Sequence, residues 1–152
     1  MRRETFRNFI FESLVGSLES AGLFCVSGEK RKKLVQHKFE VLHGFDEILI
    51  AGLSMGVVAG VGSTYNYIPN VYHAIFESMK KNEVETARAW QMKSIRTVEV
   101  IIKYGGGVRG GKAIMKLIGL DCGSCRLPIK AFSTEEYEKL KGDLDAIKFF
   151  EF

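Results

Sequence analysis

The chain has 152 residues, 46% of them hydrophobic and 11% aromatic, which is enough for one core of ordinary size. This composition excludes a disordered chain, and three cysteines with no secretory leader in view exclude a disulfide-stapled mini-protein. The net charge of +4 is small and the basic residues are interleaved with acids, so we expect no nucleic-acid partner. The start of the chain lacks the apolar stretch of a signal peptide, and we expect a cytoplasmic protein.

Residues 1–37 are mixed in character, with apolar residues near the start that are interrupted by Gly16, Ser17 and Gly22. The basic run 30–33 has no interleaved aromatic residues, which favours a solvated loop or helix end over a phosphate-binding patch or a nuclear address. We therefore treat 1–37 as a divergent N-terminal segment, distinct from residues 38–152.

A strand, a helix and a second strand are predicted next. Lys38–Leu42 has the apolar positions of a short strand, and Asp46 has the chemistry of a helix N-cap. Ile48–Met55 is predicted to be helical, with Gly56 ending the helix. Val57–Val61 is wholly apolar and contains β-branched valines, which is typical of a strand covered on both faces in a parallel sheet.

The same region has some features of a membrane helix. Residues 48–76 contain no Asp, Glu, Lys or Arg, and Gly52, Gly56 and Gly60 have the small-residue spacing of packed membrane helices. The strongly apolar part ends near Val61, after 14 residues, whereas a span needs about 20. We therefore expect no membrane association.

The second half of the chain is predicted to be helical, and its apolar stripes favour core packing over a cofactor site. Gly105–Gly107 is predicted to end the longest helix, and Ser133 with Glu136 is predicted to form a capping box. The predicted helices lie around Val71–Met79, over Glu83–Lys103, with the stripe Ala87, Trp90, Ile95, Val98 and Ile102, over Gly111–Leu120 and over Thr134–Ile147. Two parallel strands alone cannot bury both faces of a sheet. Two strands followed by helices therefore predict that this chain is the end of a larger sheet architecture.

Two motifs superficially indicate cofactor chemistry. The spacing from Gly106 to Gly111 approaches that of a phosphate-binding loop, but Ala113 stands where the magnesium-binding hydroxyl belongs and a helix precedes it. Cys122–Cys125 has C-x-x-C spacing, yet the only other cysteine is Cys25 and zinc needs four ligands. We expect neither a metal nor a cofactor.

The most informative residues follow the two predicted strands. His43–Glu47 and Gly60–Asn66 each lie just past the carboxyl end of a strand, the edge where parallel βα architectures bind ligands. Two carboxylates, Asp46 and Glu47, with the hydroxyl of Ser63 suit a hydroxyl-rich ligand, because carboxylates accept hydroxyl protons. The alternative is that Asp46 and Ser63 merely cap the helices that follow them.

Four stretches carry a family resemblance: Gly44–Leu53, Gly62–Asn66, Lys112–Met115 and Arg126–Pro128. They resemble the C-terminal part of the N-acetylneuraminate lyase (sialic acid aldolase) family, in the dihydrodipicolinate synthase-like superfamily. The resemblance covers about residues 38–152. It implies an α/β fold, namely a C-terminal fragment of a (β/α)8 TIM barrel with about its last two βα units and a C-terminal helical extension.

The resemblance also implies an activity. The family reversibly cleaves N-acetylneuraminate to pyruvate and N-acetylmannosamine without a metal, through a Schiff base on a lysine of the sixth strand. It implies a cytosolic homotetramer that acts on small molecules. The positions that match the family's sugar-binding residues are Gly44, Asp46, Glu47 and Ser63, and we expect them to contact substrate.

The catalytic lysine has no counterpart in this chain. A full barrel takes about 250 residues, and the resemblance places a remnant of the sixth-strand region within 1–37. One register puts Ile10 at the lysine position and another puts Leu18 there, whereas the first lysine of the chain is Lys30, in the basic run. We therefore expect no catalytic residue here, neither the Schiff-base lysine nor the proton-transfer tyrosine.

Three hypotheses follow from the missing residues. The chain is part of a true lyase whose sequence is truncated, or it is an inactive paralogue or splice product that binds sugar or assembles with a related subunit. A small membrane-associated protein ranks last. Because the predicted strands expose edges and apolar faces, the chain alone is expected to be marginally stable or to aggregate.

Overall fold

The computed structural model describes residues 42–152, where two short strands are followed mainly by helices. Predictions that fall on residues 1–41, including most of the strand Lys38–Leu42 and the whole segment 1–37, lie outside the described residues. The elements are β1 (Leu42–His43), α1 (Leu49–Ser54), β2 (Ala59–Gly60), α2 (Pro69–Lys80), α3 (Val84–Lys103), α4 (Gly106–Leu117) and α5 (Thr134–Ala146), with 3-10 turns at Asp46–Ile48, Thr64–Asn66 and Phe149–Glu151.

The two strands pair in parallel, as predicted. Leu42 lies opposite Ala59, and His43 lies opposite Gly60. The second strand is shorter than the predicted Val57–Val61, and its two residues are half-buried. Val58 beside it is 75% exposed, in line with the predicted open apolar faces, so the full cover expected from the apolar run is not seen within the described residues. That expectation assumed neighbours on both sides, whereas the described residues supply one partner strand.

Helix α1 lies between the strands and ends as the sequence predicts. Gly56 has a φ of +88°, a left-handed conformation that favours glycine and stops the helix. Gly52 lies so close to β1 that a Cβ atom there would be 2.5 Å from the His43 ring nitrogen Nδ1. The helix therefore packs directly on the strand before it.

The core lies between the helices, with α2 packed along α3. On α2 the predicted face is confirmed, since Val71 and Ile75 are buried while Phe76 and Met79 pack against the core. The buried core residues are Leu49, Tyr67, Ile68, Val71, Tyr72, Ile75, Val100, Ile101, Ala113, Ile114, Leu140, Leu144 and Phe149.

On α3 the predicted apolar stripe is only partly right. Ala87 is buried and Trp90 packs against the core, but Ile102 is 66% exposed. The buried face of this helix instead contains three polar residues, Gln91, Ser94 and Thr97. Each makes a hydrogen bond, which offsets the cost of burying a polar group.

Helix α4 begins at Gly106, five residues earlier than predicted, so only Tyr104 and Gly105 separate it from the end of α3. Glycine disfavours helix interiors, but a tight tertiary contact favours it at residue 110. A Cβ at Gly110 would lie 3.0 Å from the Ile101 side chain, and Gly111 packs on the Tyr67 ring. This segment is helix following helix, unlike a phosphate-binding loop.

Helix α5 starts with the predicted capping box. The amide of Glu136 donates to Ser133 Oγ at 3.2 Å, and the amide of Ser133 donates to the Glu136 carboxylate at 2.9 Å. Arg109 of α4 binds both oxygens of that carboxylate at 2.8 Å and donates to the carbonyls of Lys130 and Ala131. The guanidinium thereby joins α4, the preceding loop and α5.

Arg109→Ala is expected to lower the free energy of unfolding by about 2 kcal/mol, because several charge-assisted hydrogen bonds from a side chain only 14% exposed are lost together. Chemical denaturation measures this loss. Arg88→Ala is the matched control, since Arg88 pairs with Glu85 on the open surface of α3. Equal stability of the two variants would contradict the role assigned to Arg109.

Three observations concern the C-x-x-C pair, a metal site and a membrane helix. Cys122 and Cys125 are reduced and lie in the loop between α4 and α5. Residues 42–152 contain no group of three or more His, Cys, Asp or Glu side chains arranged to hold a metal ion. In the same range, no helix is both long enough and apolar enough to cross a membrane.

Candidate ligand-binding cleft

A cleft of about 240 Å³ opens where the two strands end. The loop after β1 and the loop after β2 form one side of it. Gly44, Asp46, Glu47 and Ser63, the four residues expected to contact ligand, all line this cleft. The structure therefore brings together side chains from two loops, as expected for the carboxyl ends of neighbouring parallel strands.

Helices α3 and α4 form the other side of the cleft, and sequence reasoning did not find this side. It consists of Val98, Ile101 and Ile102 together with the first residues of α4, Gly106 and Gly107. A Cβ at Gly107 would lie 2.6 Å from Ser63 Oγ, so this glycine lets α4 approach the Ser63 loop. A half-apolar wall thus faces the polar loops.

Asp46 does not cap a helix, and that prediction is wrong. It is the first residue of a 3-10 turn whose N-cap is Phe45, where no side chain caps. Its side-chain oxygen Oδ2 instead accepts hydrogen bonds from the Thr64 amide, at 3.1 Å, and from the Thr64 hydroxyl. The carboxylate therefore ties the first loop to the second.

Ser63 likewise forms no side-chain cap, although it precedes the turn Thr64–Asn66. Its carbonyl oxygen accepts from Asn66 Nδ2 at 2.9 Å, and the Ser63 residue as a whole is exposed on the cleft. Glu47 is half-buried on the same cleft. The alternative that Asp46 and Ser63 are only caps is therefore wrong.

Helix α3 holds the main chain of the first loop. The Asp46 carbonyl accepts from Gln91 Nε2 at 3.0 Å and from Ser94 Oγ at 3.1 Å. The side-chain oxygen of Gln91 in turn accepts from the Ile50 amide at 3.1 Å. Sequence reasoning missed these two residues, and the signal for them was polarity on a helix face where apolar residues were expected.

Tyr72 links the two loops to α3. Its hydroxyl contacts the Thr64 hydroxyl and lies 2.7 Å from Ser94 Oγ. Burial raises the pKa of Tyr72 to about 12, although hydrogen bonds with Ser94 and Thr64 oppose the rise. Tyr72 is therefore protonated at neutral pH and available as a hydrogen-bond donor.

Tyr65 stacks on Tyr72, with ring centroids 3.9 Å apart. Burial, with a smaller contribution from the Asp46 charge, raises the pKa of Tyr65 above its ordinary value. Its hydroxyl is buried and makes no hydrogen bond within the described residues. Tyr65 thus contributes packing beside the site, while Tyr72 contributes hydrogen bonds.

A comparison with protein families identifies one match over most of the chain. The model of the dihydrodipicolinate synthetase family matches residues 8–147. This match reaches upstream of residue 38, into the segment that the structure leaves undescribed.

Individual relatives are similar over part of their length. The N-acetylneuraminate lyase of Mus musculus is 35% identical over 115 residues, which are 75% of this chain and 36% of that protein. The crystal structure of N-acetylneuraminate lyase from Fusobacterium nucleatum matches with a TM-score of 0.71 and 31% identity, covering 83% of this chain and 42% of that one. The lyase structure from Aliivibrio salmonicida also has a TM-score of 0.71, at 30% identity, with 81% and 42% covered.

The chain therefore spans less than half the length of these relatives, and the matched fold is α/β. Because the family model covers residues 8–147, the chain belongs to the dihydrodipicolinate synthetase family.

Proposed function

We propose that this chain forms the ligand-binding edge of an N-acetylneuraminate lyase-type (β/α)8 barrel, contributing its last two βα units and a helical extension. The cleft binds the hydroxyl-rich part of N-acetylneuraminate or N-acetylmannosamine. The observation that carries the proposal is that Gly44, Asp46, Glu47 and Ser63 line one cleft. Carboxylates accept hydroxyl protons, and a serine hydroxyl both donates and accepts.

The names of the relatives support the substrate class. N-acetylneuraminate lyases from animals and bacteria are 30–35% identical to this chain over the matched region. The reaction proposed for the full-length protein is reversible aldol cleavage of N-acetylneuraminate to pyruvate and N-acetylmannosamine through a Schiff base. A cytoplasmic homotetramer belongs to the same proposal, and neither metal nor cofactor is needed.

We infer that the chain by itself does not catalyse this cleavage. A Schiff base needs an amine that loses its proton near neutral pH, usually by burial in dry surroundings. None of the lysines within residues 42–152 lines the cleft or is buried. The first lysine of the chain, Lys30, stands in a basic run, where burial is unfavourable.

A second candidate function is assembly with a related subunit. Leu42, Val58 and Val61, in and beside the strands, are more than half exposed. In a parallel barrel such apolar side chains are covered by neighbouring strands and helices. A related chain that supplied those elements would cover them, and it would also complete the site.

Calorimetric titration of the chain with N-acetylneuraminate tests the binding function. Glu47→Gln and Ser63→Ala are each expected to weaken binding about fivefold to tenfold, because each removes one polar contact from the cleft. Glu85→Gln, on the exposed surface of α3, is the control and is expected to bind as the wild type does. If the wild type does not bind, or if all three variants bind equally well, the proposed function is wrong.

A further inference from the structure

Three buried hydroxyl groups form a continuous hydrogen-bonded chain that ends on Asp46. Thr64, Tyr72 and Ser94 are each 2% exposed or less. The Thr64 hydroxyl contacts Asp46 Oδ2, Tyr72 contacts Thr64, and Ser94 lies 2.7 Å from Tyr72. We call these three residues the hydroxyl relay. They are brought together from the second loop, α2 and α3.

The chemistry of the groups sets the direction of the relay. A carboxylate only accepts, so Thr64 donates its single hydroxyl proton to Asp46. The Thr64 oxygen therefore accepts from Tyr72, which retains its proton at neutral pH. Ser94 contacts both the Tyr72 oxygen and the Asp46 carbonyl, and Gln91 also donates to that carbonyl. Ser94 has one hydroxyl proton, which goes either to the Tyr72 oxygen or to the Asp46 carbonyl and not to both. In the first case all three hydroxyl protons point along the chain toward Asp46, an arrangement that strengthens each bond.

The two oxygens of the Asp46 carboxylate consequently differ. Oδ2 accepts both the Thr64 amide and the Thr64 hydroxyl. Oδ1 accepts no hydrogen bond from the described residues, and it is the atom nearest to the position that a Cβ at Gly62 would occupy, on the cleft wall. One oxygen is held by Thr64, and the other is left without a donor from the described residues, beside Gly62 on the cleft wall.

We propose that the hydroxyl relay is a positioning device that turns Asp46 into a single fixed acceptor, and that Tyr72 and Ser94 thereby influence ligand selection without lining the cleft. A fixed carboxylate oxygen accepts only from a donating group, so the wall selects ligand hydroxyls over ligand carboxylates. Glu47 beside it offers a second acceptor. The inference about ligand selection rests on the proposed function, whereas the hold on Asp46 does not.

Hydrogen exchange of the residue 64 amide reports on Asp46 directly, because this amide donates to Oδ2. Thr64→Val and Tyr72→Phe are expected to speed its exchange about tenfold relative to the core amide of Leu140, since each removes a bond that fixes the carboxylate. Thr64→Ser, which restores a hydroxyl, is expected to behave as the wild type. Tyr65→Phe is the matched control, because that hydroxyl has no partner within the described residues.

The same variants are then titrated with N-acetylneuraminate. Tyr72→Phe is expected to bind about tenfold more weakly than Tyr65→Phe, and Ser94→Ala provides an independent second break in the relay. If exchange at residue 64, referenced to Leu140, is the same in Tyr72→Phe and Tyr65→Phe, the positioning role is overturned. If exchange changes as expected but the wild type binds no N-acetylneuraminate, the hold on Asp46 is supported while the proposed function and the claimed ligand selection both fail.

Discussion

Gly62→Ala is expected to lower the free energy of unfolding by about 3 kcal/mol and to abolish ligand binding. A Cβ atom at residue 62 would overlap the Asp46 carboxylate, which accepts two hydrogen bonds from Thr64, while Gln91 holds the main-chain carbonyl of the same residue. The carboxylate has no room to retreat without breaking its bonds to Thr64. The cost combines overpacking with the loss of charge-assisted hydrogen bonds in a buried site.

Gly142→Ala is the control for that substitution. Gly142 lies within helix α5, and a Cβ there would meet no atom within 4 Å. Alanine is the better helix former, so this variant is expected to gain about 0.5–1 kcal/mol. Chemical denaturation of both variants gives the comparison. A Gly62→Ala protein as stable as the wild type would show that the two loops are not packed as described.

No stable adduct is expected when the chain is treated with pyruvate and borohydride. The reagent reduces a Schiff base to a secondary amine, which adds a fixed mass to the modified lysine. The lysines within residues 42–152 are outside the cleft and none is buried, so none has the dry surroundings that activate a lysine as a nucleophile. Turnover of N-acetylneuraminate by the chain alone is expected to be undetectable for the same reason.

Intact mass and peptide mapping measure the outcome, with a full-length N-acetylneuraminate lyase treated in parallel as the positive control. A pyruvate-derived mass on one lysine of this chain, accompanied by lyase turnover, would contradict the inference that it lacks the nucleophile. That result would place the reactive amine among residues 1–41 or among the lysines outside the cleft.

The cleft itself could be predicted from local sequence. A parallel pair of strands places the loops that follow it side by side, so Asp46, Glu47 and Ser63 were expected to meet. The capping box at Ser133 and the helix stop at Gly56 are equally local, because each depends on residues a few positions apart.

The residues of α2 and α3 that hold the cleft loops in place could not be predicted from local sequence. Ser94 donates to the Asp46 carbonyl from 48 positions along the chain, and Tyr72 reaches Asp46 through Thr64. Their placement depends on how α2 and α3 pack, which no local pattern records. The only sign of this contact in the sequence is a polar residue on the apolar face of α3. Without knowledge of its partner, the Asp46 carbonyl, Ser94 only interrupts that face.

At the start of α4 a local pattern was present but predicted the wrong structure. Glycines at 105–107 and 110–111 predicted a break, because glycine is a poor helix former. The helix forms nevertheless, since Ile101 packs tightly where a side chain at Gly110 would lie and Gly111 packs on the Tyr67 ring. Tertiary contact overrides propensity here, and it brings the first turn of α4 to the cleft.

Mapping of backbone amide shifts during titration with N-acetylneuraminate tests the central claim most directly. The account predicts saturable shifts at Gly44, Glu47, Ser63 and Gly107, which surround the cleft. Amides of the exposed loop around Cys122 are expected to stay unchanged. Shifts confined to that loop, or the absence of saturable shifts at any residue, would contradict the assignment of this cleft as a sugar-binding site.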